Sequence, residues 1–415
     1  MDYPFLFIFA GILLTFLSAT LVGRFIANTG FPLPPSERRI GCVDGLRGYL
    51  ALAVMAHHFV IWMQVRRLGG SWAAPSFDFF NQLGPGGVAL FFMTTGLVFY
   101  PRVLGGWRAC SWSAIYISRL FRLIPLVAVS VALITLVIMS RTGSGLDSGY
   151  PWAVVQWLSA WGEPPLLGYS DSGRLNAYVL WSLKYEWVFY LAVLPACALA
   201  MDRVRKADWP SWVVPVGLLS GAVLLKGGVH LGVGPDLPGI SHGADHGLPA
   251  YVPCFAIGML AYECQTNNKV VSLLKKRGAA IAAVASLAFA MSAFPVPYAE
   301  ALPMYGFFFI CVACGNDFGG IFHSRGALVL GECSYGIYLM HGIALSLLYV
   351  DLPALVTQLP VERLPLLIPV VALVVVPFTA LTYLLIERPA IRLGKRVARG
   401  WRLQKARIEA GVSVD

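Results

Sequence analysis

The sequence predicts an all-α polytopic membrane protein, a bundle of about eleven transmembrane helices. Hydrophobic residues make up 58% of the 415 positions and charged residues only 13%, whereas soluble proteins are about 25% charged. Mean hydropathy is +0.70. Apolar runs recur along the whole chain, and about 20 apolar residues suffice to cross about 30 Å of hydrocarbon.

Each predicted helix corresponds to one apolar run, and shorter runs gain length from flanking Pro, Gly and aromatic residues. The runs are 5–26, 46–65, 88–104, 123–139, 178–199, 209–225, 251–261, 279–294, 301–314, 327–349 and 364–386. The start of the chain lacks the basic residues of a cleaved secretory signal, so the first run is predicted to be a permanent anchor. We therefore divide the chain into an anchor helix with a basic loop (1–39), a membrane domain (40–389) and a basic tail (390–415).

The basic residues predict the orientation. With eleven helices in alternation, 24 of the 31 Lys and Arg residues lie on one side, six lie on the other, and Lys184 lies within a helix. The positive-inside rule then places the N terminus outside and the C terminus in the cytoplasm. The same rule accounts for the net charge of +10, so nucleic acid is not a predicted partner. The basic tail is expected to lie against anionic lipid.

The run "GLRGYLALAVMAHHFVIW" (45–62) carries ionisable residues at membrane depth, which is typical of functional sites. At 100° per residue, Arg47 and His58 share one helix face, about 16 Å apart along the axis. Asp44 extends this stripe by one turn, whereas His57 lies about 80° away and is predicted to be packing. His58 is therefore a candidate general base near the middle of the membrane. An interhelical histidine with only a structural role is the alternative.

Two further runs supply candidate partners. Glu186, in "LWSLKYEWVFY" (180–190), is predicted at nearly the depth of His58, where a carboxylate could orient a histidine base. A purely structural carboxylate is the alternative. Arg119 and Arg122, in "SRLFRLIP" (118–125), lie one turn apart on a helix, and paired guanidinium groups suit a phosphate or pyrophosphate. Ordinary positive-inside residues would give the same spacing.

A polar stripe marks the run "GECSYGIYLMHG" (331–342). Ser334, Tyr338 and His341 are spaced four and three residues apart, so they share a helix face. This stripe could line the path of an acceptor molecule or bond neighbouring helices.

No metal site is predicted. His242, Asp245 and His246 form a set of low specificity in a Gly-rich outer loop, for which a solvated loop is the favoured interpretation. The eight cysteines are interpreted as small apolar residues in a reducing compartment, including the pair of the Cys311–Cys314 CxxC sequence.

Taken in order, these motifs resemble membrane acyltransferase family 3, the integral membrane O-acyltransferases. The resemblance extends from Ile40 to Pro389. It rests on the Arg47–His58 spacing, on "GPGGVALFFMTTGLVF", on the RxxR sequence of Arg119 and Arg122, on "WSLKYEWVFY", on "GECSYGIYLMHG" and on "IERPA". Ala89 and Thr95 depart from the acidic residue and the serine that the family often has in its second core helix.

The resemblance implies a core of ten helices, here preceded by one extra helix, and a multi-pass protein of the bacterial inner membrane. It implies transfer of an acyl group, most often acetyl from acetyl-CoA, onto a hydroxyl of a cell-surface or lipid-linked glycan. Acetyl-CoA would be a co-substrate, and no bound cofactor is expected. His58 and Glu186 would be catalytic. Arg47, Arg119 and Arg122 would bind the donor, and the site would be lined by Asp44, Trp181, Ser334, Tyr335, Tyr338 and His341.

A membrane transporter is the alternative function. Buried histidine and carboxylate groups also suit a proton relay, through which such a protein could export a small acylated or anionic product. Neither an inverted repeat nor a matching pair of broken helices is apparent in the sequence, and transporters often have these features.

Overall fold

The computed structural model describes residues 5–33, 41–230 and 248–409. Within these ranges the chain forms helices, turns and loops, with one isolated β-bridge between Leu166 and Tyr169 and no strand. The outer-loop residues His242, Asp245 and His246 lie outside the described ranges.

The first half of the chain contains nine α-helices. These are α1 (Phe5–Asn28), α2 (Gly41–Arg67), α3 (Asp78–Gln82), α4 (Pro85–Phe99), α5 (Trp112–Thr142), α6 (Tyr150–Ser159), α7 (Ser172–Leu175), α8 (Trp181–Val188) and α9 (Leu194–Lys206). A single π-helical turn (Phe189–Val193) joins α8 to α9, so these two form one continuous rod.

The second half continues the bundle. Its helices are α10 (Val213–His230), α11 (Leu248–Gln265), α12 (Asn268–Leu274), α13 (Arg277–Ala293), α14 (Leu302–Ala313), α15 (Arg325–Ser346), α16 (Pro353–Thr357), α17 (Leu367–Thr382) and α18 (Arg388–Glu409). Another π-helical turn (Tyr383–Glu387) carries α17 into the basic helix α18.

All eleven predicted apolar runs form helix, and the all-α membrane fold is confirmed. Among the described residues, seven helical segments are long and apolar enough to cross a bilayer. They are Phe5–Asn28, Gly41–Arg67, Asp78–Arg102, Trp112–Thr142, Trp181–Lys206, Arg325–Asp351 and Val361–Trp401. Shorter apolar helices such as Arg277–Ala293 and Leu302–Ala313 accompany them. The total of eleven crossings and the orientation of the termini stay predictions.

Helices α2 and α15 form the centre of the bundle, and each is buried over most of its length. They approach so closely that a β-carbon on Gly331 would overlap the carbonyl oxygen of Asp44, and one on Gly48 would overlap Leu330. Small residues at a helix crossing let two backbones meet, which is a common basis of helix association in membranes. The same two helices place His58 of α2 beside His341 of α15.

The remaining helices surround this centre. Helix α1 packs on α15 and α17 and exposes Leu13, Leu17 and Leu21 on its outer side, as expected of a lipid-facing anchor. Helix α18 packs along α5, where Gly394 contacts Phe121. We call the end of the bundle that holds Gly41 and Trp112 the basic end, and the opposite end, which holds the connection from α5 to α8, the loop end.

Candidate active site

A cavity of about 340 Å³ opens among α2, α4, α5, α8 and α15. We call it the arginine cavity, because three guanidinium groups reach it from two different helices. Eight of the eleven predicted site residues line it: Asp44, Arg47, Arg119, Arg122, Glu186, Ser334, Tyr335 and Tyr338. Most of the predicted residues therefore lie together, although they come from four helices and from sequence positions as distant as Asp44 and Tyr338.

The three arginines differ in their partners. Arg47 lies 3.7 Å from the carboxylate of Asp44, one turn earlier on α2. Arg119 lies over the rings of Phe99 and Tyr190, at 4.9 and 5.8 Å from their centroids, and its Nε atom is buried without a hydrogen-bond partner. Stacked guanidinium groups keep their planar N–H donors available at the edge, which is the geometry that binds phosphate.

Arg122 is surrounded by carboxylates. Glu186, Glu332 and Glu387 all lie within electrostatic range of its guanidinium group. Glu332 lines the cavity and accepts a hydrogen bond of 2.6 Å from the hydroxyl of Tyr383. Glu387 is only 1% exposed, and neither of its carboxylate oxygens has a hydrogen-bond partner.

Sequence reasoning missed Glu332 and Glu387 as site residues, although both lie in quoted motifs. The sequence did contain a signal for both residues, because each is a carboxylate within or at the end of an apolar run. Such residues usually face a protein-lined interior. The two glutamates balance much of the arginine charge, which allows three cations to share one buried space.

Glu186 does not contact His58, and this corrects the prediction that it orients the histidine. Its Oε1 atom accepts a hydrogen bond of 2.5 Å from the hydroxyl of Tyr190, one turn later in the same rod. An axial count gives the depth of a residue but not the direction of its side chain. Here the carboxylate turns toward the arginines, where opposite charge stabilises it.

The partner of His58 is His341. The Nε2 atom of His341 lies 3.0 Å from Nδ1 of His58, and the rings are stacked with centroids 5.0 Å apart. We call these two residues the histidine pair. The prediction placed His341 on the acceptor path, and the structure places it directly against the candidate base.

Contacts with backbone carbonyls indicate which ring nitrogen carries the proton in each histidine of the pair. Nδ1 of His58 lies 3.0 Å from the carbonyl oxygen of Val54, and Nδ1 of His341 lies 3.1 Å from that of Ile337. Because a carbonyl oxygen can only accept, each neutral ring carries its proton on Nδ1. The Nδ1–H group of His58 is then shared between two acceptors, the carbonyl oxygen of Val54 and Nε2 of His341. The lone pair of the His58 ring lies on its Nε2 atom.

Tyr338 separates the histidine pair from the arginine cavity. Its ring lines the cavity and lies 6.2 Å from the ring of His341, centroid to centroid. Its hydroxyl donates to the carbonyl oxygen of Val179 at 3.1 Å and lies 2.8 Å from Oγ of Ser182. The cavity and the pair are therefore neighbouring compartments with one tyrosine between them.

The other predicted residues occupy varied positions. Ser334 lines the cavity with a buried hydroxyl that has no hydrogen-bond partner, whereas the hydroxyl of Tyr335 donates to the carbonyl oxygen of Leu123 at 2.9 Å. Trp181 lies outside the cavity and packs against Tyr251, with centroids 5.4 Å apart. The expectation that Trp181 lines the site is corrected, because its position on α8 faces α11.

His57 is a packing residue, as its angular position predicted. It is 7% exposed, and its Nδ1 atom lies 3.1 Å from the carbonyl oxygen of Phe80. Across the ranges that the structure describes, no group of three or more His, Cys, Asp or Glu side chains could hold a metal ion.

Residues 40–387 match a family model described as an acyltransferase domain, which covers most of the chain. Comparisons with curated proteins and with solved structures gave no match. The family match spans every element of the cavity and of the histidine pair. The chain therefore belongs to membrane acyltransferase family 3, as the order of its motifs predicted.

Proposed function

We propose that the protein transfers an acyl group, most commonly acetyl, from acyl-CoA to a hydroxyl of a cell-surface or lipid-linked glycan in the bacterial inner membrane. The observation that carries this proposal is the adjacency of a three-arginine cavity and a histidine with a lone pair on Nε2. The first suits a phosphate-bearing donor, and the second suits removal of a hydroxyl proton.

The donor would enter from the basic end. Its phosphates would bind Arg47, Arg119 and Arg122, among which the buried, unpartnered Nε atom of Arg119 is a ready donor. Charge-assisted hydrogen bonds to phosphate are about twice as strong as neutral ones. The carboxylates of Glu186, Glu332 and Glu387 act as positioning groups that hold the guanidinium of Arg122 in place.

The acyl end of the donor would extend toward the histidine pair. The thioester must pass the ring of Tyr338, so we assign to this side chain a rotation that opens the way. Nε2 of His58 then removes the proton from the acceptor hydroxyl, and the oxygen attacks the thioester carbonyl. The carbon–sulfur bond breaks, and the thiolate of CoA takes up the proton from His58.

His341 acts through His58. Its Nε2 lone pair accepts from the Nδ1–H group of His58 at 3.0 Å. Together with the carbonyl oxygen of Val54, it favours the tautomer with an open Nε2 atom. When His58 becomes protonated, the same lone pair stabilises the imidazolium ion. The carboxylate of a catalytic triad serves the same purpose.

Adjacent histidines of α2 provide a matched test. In purified protein supplied with radiolabelled acetyl-CoA and a surface-glycan fraction, His58→Gln should lower the rate of transfer about 10²–10⁴-fold, the range attributed to general-base catalysis. His57→Gln should keep most of the rate, because an amide can still donate to the carbonyl oxygen of Phe80.

The two variants also define the contrary result. Near-wild-type transfer by a folded His58→Gln protein would refute the assignment of the base. Uptake of a small anion into proteoliposomes without CoA would instead support the transporter.

A further inference from the structure

A short segment at the loop end covers the histidine pair. We call residues 160–180 the cap, since they connect α6 to α8 and lie against Trp72. The ring of Trp72 stacks on His58 with centroids 6.5 Å apart and an interplanar angle of 23°. From the cap, Tyr178 meets Trp72 edge-on at 5.8 Å, and the guanidinium of Arg174 lies 5.6 Å from its centroid.

The cap holds a concentration of buried polar atoms without partners. Eleven such side-chain atoms occur among the described residues, and four are in the cap: Oε2 of Glu163, Nε of Arg174, and both Oδ1 and Nδ2 of Asn176. Proteins pair roughly 90% or more of buried polar groups. Asn176 is fully buried yet uses neither amide atom, so packing alone gives no reason for an amide at this position.

The backbone of the cap is strained at the same place. Ala177 and Tyr178 have φ angles of 52° and 53°, a region that side chains other than glycine seldom adopt. The backbone of Asn176 and Ala177 also presses against Gly342, next to His341, where a β-carbon would overlap it. Strain of this kind persists mainly at binding and catalytic sites.

The cap carries little net charge. Arg174 is paired with Asp171 at 3.1 Å. Burial raises the pKa of the Glu163 carboxyl to about 8, so that this group is mostly protonated at neutral pH. Its Oε1 atom accepts a hydrogen bond of 3.0 Å from the backbone N–H of Leu180, which leaves Oε2 as a hydroxyl donor.

We propose that the cap binds the acceptor, and that the acceptor is a neutral saccharide held through its hydroxyls by Glu163, Arg174 and Asn176 against Trp72 and Tyr178. Sugar hydroxyls both donate and accept hydrogen bonds, which matches this mixed set of donors and acceptors. The inference rests on the proposed function for its reaction, but saccharide binding can be measured without transfer.

Asn176→Leu tests the proposal, because leucine has nearly the same size but no hydrogen-bonding atoms. Replacing an unpartnered buried amide by an apolar group leaves stability unchanged or raises it. We therefore expect an unchanged or higher melting temperature, an at least tenfold weaker binding of glucose, galactose, rhamnose or N-acetylglucosamine, and unchanged acetyl-CoA affinity. Intrinsic tryptophan fluorescence in the absence of CoA would report saccharide binding.

Ser130→Ala is the matched control, since Ser130 has a buried, unpartnered hydroxyl on α5 outside both the cap and the cavity. Arg174→Met serves as a second test if Asn176→Leu does not fold, because the side chain of Arg174 is 30% exposed and tolerates replacement. It should weaken saccharide binding, whereas Ser130→Ala should not.

The outcomes separate the two proposals. Equal saccharide affinity in the wild type and in the folded cap variants, or tighter binding of glucuronate than of glucose, overturns the cap proposal even if acetyl transfer depends on His58. Loss of saccharide binding in the cap variants together with no acetyl transfer by the wild type supports the cap and overturns the proposed reaction.

Discussion

The arginine cavity and the histidine pair share helices α2 and α15 but differ in their chemistry. The cavity contains guanidinium and carboxylate groups in close balance, whereas the pair consists of two imidazoles bonded to each other and to backbone carbonyls. A cation beside an imidazole opposes its protonation. Charge is thus concentrated where phosphates would bind and kept away from the ring that would accept a proton.

Of the three substitution sites that follow, His341 is expected to give the largest effect on the rate of transfer. His341→Leu removes one of the two acceptors of the Nδ1–H group of His58, the one that stabilises its protonated ring, and we expect kcat to fall about 100-fold, the lower end of the range for a general base. His341→Gln keeps an acceptor oxygen and should recover part of that loss. Steady-state kinetics with acetyl-CoA should show KM nearly unchanged in both variants.

A pH–rate profile distinguishes positioning from simple structural support. The rate of the Leu variant should depend on pH differently from that of the wild type, because the Nε2 lone pair that stabilises the protonated ring of His58 is lost. If both variants lose activity equally and keep the wild-type profile, His341 is only a packing residue.

A smaller effect is expected from a substitution in the arginine cavity, and it should fall on CoA binding. Arg122→Gln removes hydrogen bonds to a charged ligand, each of which contributes about 1.5–3 kcal/mol, so CoA should bind roughly 10–100-fold more weakly. Arg108→Gln is the control, since Arg108 is exposed at the same end and does not line the cavity. Calorimetric titration with CoA measures both.

CoA affinity and kcat should respond differently to Arg122→Gln. Binding should weaken in Arg122→Gln while kcat at saturating donor stays close to the wild-type value. A fall in kcat with unchanged CoA affinity would contradict the division of labour between the cavity and the pair.

The smallest effect concerns Glu163 and the stability of the protein. Its pKa is about 8 in the folded state and about 4.3 in an unfolded chain, so the folded state holds a proton that the unfolded state releases between these values. Stability is therefore lost as pH rises through this window. Glu163→Gln should flatten the decline in melting temperature between about pH 5 and 9.

The groups around Glu163 do not produce this slope. Tyr178 and Tyr338 face it, and free tyrosine titrates near 10, above the window. Parallel melting curves for the wild type and Glu163→Gln from pH 5 to 9 would show that Glu163 is ionised throughout.

Helical periodicity predicted much of the fold and part of the site. The shared face of Arg47 and His58 and the stripe of Ser334, Tyr338 and His341 follow from 3.6 residues per turn. These residues indeed lie in or beside one site. Glu186 shows the limit of this method, because its carboxylate lies near Arg122 of another helix, and a single helical wheel contains no information about other helices.

The cap could not be predicted in the same way. Nothing in the residue types of Ala177 and Tyr178 indicates left-handed backbone, which usually requires glycine or asparagine. Likewise, an asparagine in a loop normally predicts a solvated turn. Only the packing of the cap against Gly342 turns Asn176 into a fully buried amide.

The glycine contacts between α2 and α15 have a consequence for how such an enzyme can diversify. The two helices that carry the histidines meet backbone on backbone at Gly48 and Gly331. Side-chain substitutions in the cap can therefore alter which molecules are admitted while the crossing of α2 and α15 keeps its geometry. Under the proposed roles, acceptor range and reaction chemistry are separately adjustable, and an exchange of cap side chains between relatives should transfer the first while preserving the second.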